Sequence, residues 1–366
     1  VESLVKDALK EALEKKAAAK ADIKSSDLMK KLAESVAPTP TPSPTMVYTP
    51  PAISEGQKFL SDVLGIKAVP LDFGVSCFHD HEFHESIAGF IPEVDDSYHI
   101  DVELASSVLQ AWELGDKVLC YGPTGSGKSS LIEQLCARTF RPFIRINCTG
   151  DMDSSMIFGQ LLAKDGSTYW ADGPATEAVK YGAVFCWDEW DVTPPEIGMG
   201  LQWLLEDNGK LFLKDMPGEI STKMIKPHPN FRLVAIGNTQ GQGDETGAHA
   251  GTNVQNSATL DRFGTCLYID YMPAKIEKDM ILKKFPKIAP ALVADLVQFA
   301  GLARIGYKAG QLSLTVSQRT LINVCKKLFV GLSPHAAFSL VYFNKLNKTQ
   351  EKVAKELWTK VFGSDK

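Results

Sequence analysis

The sequence predicts an α/β fold: a mostly parallel sheet with helices on both faces, followed by a helical C-terminal domain. Three observations predict it. From about residue 101, short apolar runs of strand length alternate with amphipathic helical runs. One of the strand-to-helix junctions is a glycine-rich loop. Beyond Pro273 the strand-like runs stop and helical periodicity takes over. With 366 residues, 44% of them apolar, the chain can bury one sizeable α/β core plus an accessory domain, and it exceeds a single small module.

Residues 1–36 set Leu4, Val5, Ala8, Leu9, Ala12 and Leu13 at helical spacing among Lys and Glu, which favours an amphipathic helix, with a partner-docking helix on a tether and a disordered tail as the two readings. Residues 37–51 contain Pro38, Pro40, Pro42, Pro44, Pro50 and Pro51 and predict an extended linker. Residues 52–100 form a small N-terminal module with a short helix over Phe59, Leu60, Val63, Leu64 and Ile66. The core, residues 101–272, reads as helix Val102–Trp112, strand Val118–Tyr121, glycine loop, helix Ser129–Thr139, strand Phe143–Asn147, and later strands Ala183–Trp187 and Leu233–Ile236. Residues 273–366 carry Leu282, Leu292, Leu296, Val297, Leu321, Val324 and Leu328 at helical spacing and form the helical domain.

Charge and cysteine usage exclude some classes. With 39 basic against 44 acidic residues, no global field draws the protein onto nucleic acid or anionic lipid. The seven cysteines (77, 120, 136, 148, 186, 266 and 325) form no CxxC pair and read as reduced thiols, which with the lack of a membrane-length apolar run predicts a soluble cytoplasmic protein.

The chemistry starts at Gly122-Pro123-Thr124-Gly125-Ser126-Gly127-Lys128-Ser129, a G-x-x-x-x-G-K-[ST] loop standing after a strand and before a helix. Glycines let successive N–H groups converge on phosphate oxygens, and the helix N-terminus adds its positive dipole end. Lys128 supplies charge to the β and γ phosphates of ATP, Ser129 a hydroxyl for Mg2+, and Ser130 extends the nucleotide-binding set. An apolar strand then ends in Asp188-Glu189, which points to Asp188 as a second group at the metal and Glu189 as the base that orients water. Taken alone, such an Asp is as often a helix cap.

From about Ile91 to Pro273 the sequence resembles the MoxR-type AAA+ ATPases, and within them the small ATPase subunit of the cobaltochelatase family. The carriers are Ile91-Pro92-Glu93-Val94-Asp95, the phosphate loop, Trp187-Asp188-Glu189-Trp190-Asp191, Leu204-Leu205-Glu206-Asp207-Asn208-Gly209, Pro227-His228-Pro229-Asn230-Phe231-Arg232, Gly237-Asn238-Thr239, Gly243-Asp244-Glu245-Thr246-Gly247 and Leu260-Asp261-Arg262-Phe263. The resemblance implies a P-loop AAA+ core with a helical lid. It makes Asn238 the sensor-1 residue beside the lytic water, Arg262 an arginine finger acting in a neighbouring subunit, and Arg319 a sensor-2 residue over the γ-phosphate. It further implies a homo-oligomeric ring, a hexamer, and a protein partner carrying a von Willebrand A-type module. Gly159–Ala178 and Lys210–Met224 resemble the pore-facing inserts of this branch. The second reads as a hairpin turned at Met216-Pro217-Gly218, and Tyr169-Trp170 as core packing or a substrate grip.

Cys77-Phe78-His79-Asp80-His81-Glu82-Phe83-His84 gathers possible zinc ligands, but no second ligand pair follows, and a packed surface strand is the favoured reading. The leading functional expectation is an ATP-hydrolysing ring motor that remodels a protein. A cobalt or magnesium chelatase ATPase subunit, a nucleic-acid motor and a nucleotide-gated scaffold are the alternatives.

Overall fold

The structure is a computed structural model, and it describes residues 53–363 apart from 68, 80–81, 242, 244–251 and 254. The chain divides after Pro50, and the described residues lie in the second unit. The expected N-terminal helix and linker lie outside the described residues.

Five strands form the central sheet: β1 (Val118–Tyr121), β2 (Phe143–Asn147), β3 (Val184–Asp188), β4 (Arg232–Gly237) and β5 (Thr265–Tyr268). Their order is β5-β1-β4-β3-β2, with every neighbouring pair parallel. Alternation along each strand sends successive side chains to opposite faces. Val118, Cys120, Val184, Cys186, Val234 and Ile236 join one buried cluster, with residues of α1 (Val102–Leu114) and α2 (Lys128–Thr139). Leu119, Phe185, Trp187, Leu233 and Ala235 join another, with residues of α3 (Pro174–Tyr181). Sheet strands buried on both faces need continuous apolar runs, which is why the sequence displayed them plainly.

The capping follows the local sequence. The Asp101 carboxylate accepts from the N–H groups of Glu103 and Leu104 and starts α1, and Gly115 at φ 80° ends it. Beyond Pro273 come α4 (Ala274–Lys284), α5 (Pro290–Lys308), α6 (Gln318–Phe329), α7 (Pro334–Val341) and α8 (Lys348–Phe362). They enclose a third core built around Phe299, Phe338, Phe343 and Trp358, whose rings meet edge to face or tilted. This is the P-loop AAA+ core with a helical lid that the sequence led us to expect.

Three readings need correction. The fifth strand, Thr265–Tyr268, was not foreseen: it is short, half-exposed and at the sheet edge, so its apolar pattern is weak. The segment around His79 is not a strand, since the strand there ends at Ser76, Glu82 closes a turn onto His79, and His84 caps the helix Glu85–Ala88. The insert before β4 pairs only Leu211–Phe212 with Met224–Ile225 and bridges them through the helix Ile220–Lys223 instead of a tight turn. The other insert is a full hairpin, Gly159–Lys164 with Ser167–Asp172.

Candidate nucleotide site

Because β4 lies between β1 and β3, whatever follows β4 stands between the phosphate loop and the acidic pair. The residue there is Asn238. The loop leaves β1 at Gly122, whose φ of 146° and 2.2 Å clearance from an added Cβ to the Ile269 carbonyl admit only glycine. Gly125 is constrained likewise, with φ 72° and Ser317 only 2.5 Å from an added Cβ. Lys128 opens α2 and is 7% exposed, and its Nζ donates to the carbonyls of Gly122 (2.8 Å) and Pro123 (3.0 Å) and to Asn238 Oδ1 (3.1 Å). Thr124 Oγ1 lies 3.4 Å from the same Asn238 oxygen. Among the described residues, the buried Ser126 Oγ has no partner. Burial draws the Lys128 ammonium down to about 8, against the pull of Asp188, Asp191 and Glu189.

Ser129 Oγ donates to Asp188 Oδ2 at 3.0 Å, and Arg145 on β2 lies 2.5 Å from the same oxygen. Asp188 is 4% exposed, whereas Glu189 immediately after it is exposed and held at φ 55°. That left-handed conformation costs a non-glycine residue about 1–2 kcal/mol, and such strain concentrates where a side chain must be aimed. Its neighbour Trp190 holds it there, fully buried against Trp187 and Phe263. Burial raises the Glu189 carboxyl above its ordinary range, helped by Asp188 and Asp191 and opposed by Arg145 and Lys128.

Asp191 completes this side. It is fully buried, and its Oδ2 accepts from the Asn238 N–H (3.0 Å), the Thr239 N–H (2.9 Å) and Thr239 Oγ1 (2.9 Å). Asp191 and Arg145 were both missed as site residues, although a charge inside the apolar run Phe143-Ile144-Arg145-Ile146 was a usable signal. A cavity of about 270 Å3 opens beside the loop between Tyr98, Ser126, Gly127, Tyr268, Tyr271 and Ile276. Its wall comes from three distant stretches of chain, so nothing local in the sequence announced it.

The remaining predicted residues lie elsewhere. Ser130 is exposed and lines a separate cavity with Glu93 and Gln134. Arg319 is exposed; of its helix, Ser317 packs on Gly125, and Gln318 comes within 3.6 Å of a Cβ built on Gly127. Arg262 lies at the other end of the sheet. It precedes Thr265, which pairs with Val118 at the start of β1, while the loop leaves from the far end of β1. A four-residue strand spans about 13 Å. Arg262 is 30% exposed and pairs with Glu206 at 3.3 Å. The proposed grip pair splits: Trp170 donates to Asp172 and lines an apolar groove of about 430 Å3, and Tyr169 is exposed. No cluster of three metal-ligating side chains occurs among the described residues, which omit Asp80 and His81.

Comparison with known proteins gives the family. The AAA domain model (dynein-related subfamily) matches residues 117–263. The aerobic cobaltochelatase subunit CobS of a Sinorhizobium species is 30% identical over 75% of this chain and 83% of its own length. The chain belongs to the AAA ATPases of the CobS family. The denitrification regulatory protein NirQ of Stutzerimonas stutzeri is 28% identical over 62% of the chain and 78% of its own length. The RuvB Holliday junction branch migration motor of Thermotoga maritima is a more distant solved neighbour, at 17% identity and a TM-score of 0.40 over 75% of this chain and 74% of that one. The family resemblance read from the motifs is therefore borne out, and the protein is a nucleotide-binding ATPase. No helix among the described residues is long and apolar enough to cross a membrane.

Proposed function

We propose that this CobS-family ATPase is one subunit of a ring motor that hydrolyses magnesium-bound ATP and uses the energy to remodel a protein partner. The observation that carries the reading is the separation within one protomer: Lys128, Ser129, Asp188, Glu189 and Asn238 converge at one end of the sheet, and Arg262 stands at the other. A site completed by Arg262 needs a second copy.

The residues present suit a magnesium ion. A hydroxyl and a buried carboxylate already share one hydrogen bond at Ser129 and Asp188, hard oxygen groups of the kind that ion takes, and the loop above them holds the orphaned Ser126 hydroxyl. Bound there, the ion would neutralise charge on the phosphates. The chain's own groups do the rest. Loop N–H groups and Lys128 orient the phosphates, and Asn238 and Glu189 hold the attacking water, with Glu189 accepting its proton. The 270 Å3 cavity beside the loop would seat the nucleoside.

A protein partner is supported by the apolar side chains exposed on and beside the two inserts, Leu161, Tyr169, Met199, Trp203 and Phe212, all at least 39% exposed, of which Met199, Trp203 and Phe212 line one groove. Apolar surface of this kind suits protein better than phosphate backbone. A second reading, the ATPase subunit of a metal chelatase, is favoured by the similarity to CobS and differs in the partner, not in the motor.

Arg262→Ala should bind ATP about as well as the wild type and lose roughly 10³-fold in turnover. Mixing it with Lys128→Ala protomers, which retain Arg262, should restore hydrolysis at mixed interfaces. Turnover per subunit that neither depends on protein concentration nor responds to Arg262→Ala would refute the ring.

A further inference from the structure

We propose that Arg145 is the resting counter-cation of Asp188, a tethered guanidinium that holds the metal carboxylate until metal-bearing nucleotide displaces it. The inference rests on the reading of Asp188 and Ser129 as the metal pair. It assigns a role to a residue outside the phosphate loop, the acidic pair and the sensor position.

The placement follows from register. Arg145 is opposite Cys186 on the neighbouring strand, and Cys186 and Asp188 are two residues apart, so the three side chains share one face of the sheet. This is the face covered by α2, from which Ser129 reaches down. One oxygen, Asp188 Oδ2, thus takes Ser129 Oγ at 3.0 Å and Arg145 Nη2 at 2.5 Å. An ion pair that close sets a guanidinium charge against a carboxylate that is 6% exposed in its side chain and compensates its burial.

Charge balance explains why a cation belongs there. Asp188, Glu189 and Asp191 put three carboxyl groups within four residues, and the other nearby cation, Lys128, spends its hydrogen bonds on two carbonyls and an amide oxygen. Without Arg145 the buried Asp188 would have Ser129 as its remaining side-chain donor, together with its hydrogen bond to the Glu189 N–H through the other oxygen. A divalent ion between Ser129 and Asp188 would bring like charge against the guanidinium at the same oxygen. Arg145 has somewhere to go: β2 is the last strand of the sheet, and its side chain is 37% exposed. Metal and arginine therefore exchange at one carboxylate, and Asp188 is neutralised with nucleotide and without it.

The test uses the ratio of two affinities for a fluorescent, non-hydrolysable ATP analogue, one measured in EDTA and one in saturating Mg2+. Arg145→Gln should raise the advantage conferred by Mg2+ about tenfold or more, because metal-free phosphates then meet unmasked carboxylates and the metal has no competitor. A purely structural role would shift both affinities together and leave the ratio alone. In an Asp188→Asn background the same substitution should leave the ratio unchanged. Arg145→Lys keeps the charge without the planar fork and should fall between Arg145→Gln and the wild type, and it replaces the Gln variant in the test if thermal unfolding shows that Gln does not fold. A wild-type ratio in the folded variant overturns the proposal. Should Mg2+ fail to strengthen binding even to the wild type, the metal-pair reading itself falls, a separate and recognisable result.

Discussion

Lys128 in the core and Arg304 in the lid, two of the buried cations, are held in opposite ways. Lys128 is 7% exposed and bonded to neutral oxygens: two backbone carbonyls and the Asn238 amide. Arg304 is 9% exposed and sits in a fork-to-fork pair with Glu277, at 2.8 and 2.7 Å, with Nε on the Val316 carbonyl and its guanidinium 4.1 Å from the Tyr271 ring. The difference separates a structural charge from a poised one. Arg304 has its anion within the fold, so its burial is compensated and its work is to join α4 to α5. Lys128 carries a charge that burial disfavours, and an arriving phosphate would relieve it.

Breaking the lid pair should have the largest effect. Glu277→Ala leaves a buried guanidinium without its counter-charge and should destabilise the protein by about 3–5 kcal/mol, read as a lowered midpoint in urea. Lys128→Met removes a charge from an equally buried place, yet it should leave the midpoint of the nucleotide-free protein unchanged or slightly raised while ATP affinity falls by about two orders of magnitude. Equal losses of stability in the two variants would erase the distinction.

The smallest effect concerns protons. Because the Lys128 ammonium is lowered from its ordinary value to about 8, the unfolded chain retains a proton that the nucleotide-free fold gives up as pH rises through 8. The stability attributable to this group therefore increases with pH from about 8 to its unfolded value near 10.4. Nucleotide binding has the opposite slope, since phosphate restores the charge. Affinity should be full below about pH 8 and fall above it, with net proton uptake on binding near pH 9, measured by calorimetry in two buffers of different ionisation heat. Uptake that survives in Lys128→Met would have to come from another group.

The same contrast explains what could be read from the sequence. The phosphate loop is contiguous, and its glycines are demanded by local backbone geometry, so eight adjacent residues announced it. Strands β1 and β2 were read to the residue because Val118–Tyr121 and Phe143–Asn147 are short apolar-rich runs between clear breaks, the first buried and the second at the partly exposed sheet edge. By contrast, Glu277 and Arg304 are 27 residues apart on separate helices, and nothing in either helix's periodicity foretells their pairing. Asp191 looked like one more acid after a strand until the β3-β4 pairing carried it under the Asn238 turn. For Arg319, a short Ser-x-Arg match could not say which of three consecutive residues would face the loop. In the structure Ser317 and Gln318 do so.

Tyr271 joins the two halves on which this comparison rests. Its hydroxyl donates to the Thr124 carbonyl in the phosphate loop at 2.8 Å and lies 3.2 Å from Thr315 Oγ1, and its ring lies against Arg304. The lid therefore holds the loop through a phenol only one side chain long, and a rotation of either would move the other. Linkage then makes the traffic symmetrical: a load on the helical domain that shifts nucleotide affinity by some factor is itself bound more or less tightly by that factor when nucleotide enters. Under the ring-motor proposal, a subunit built this way would transmit force and read it through the same contact.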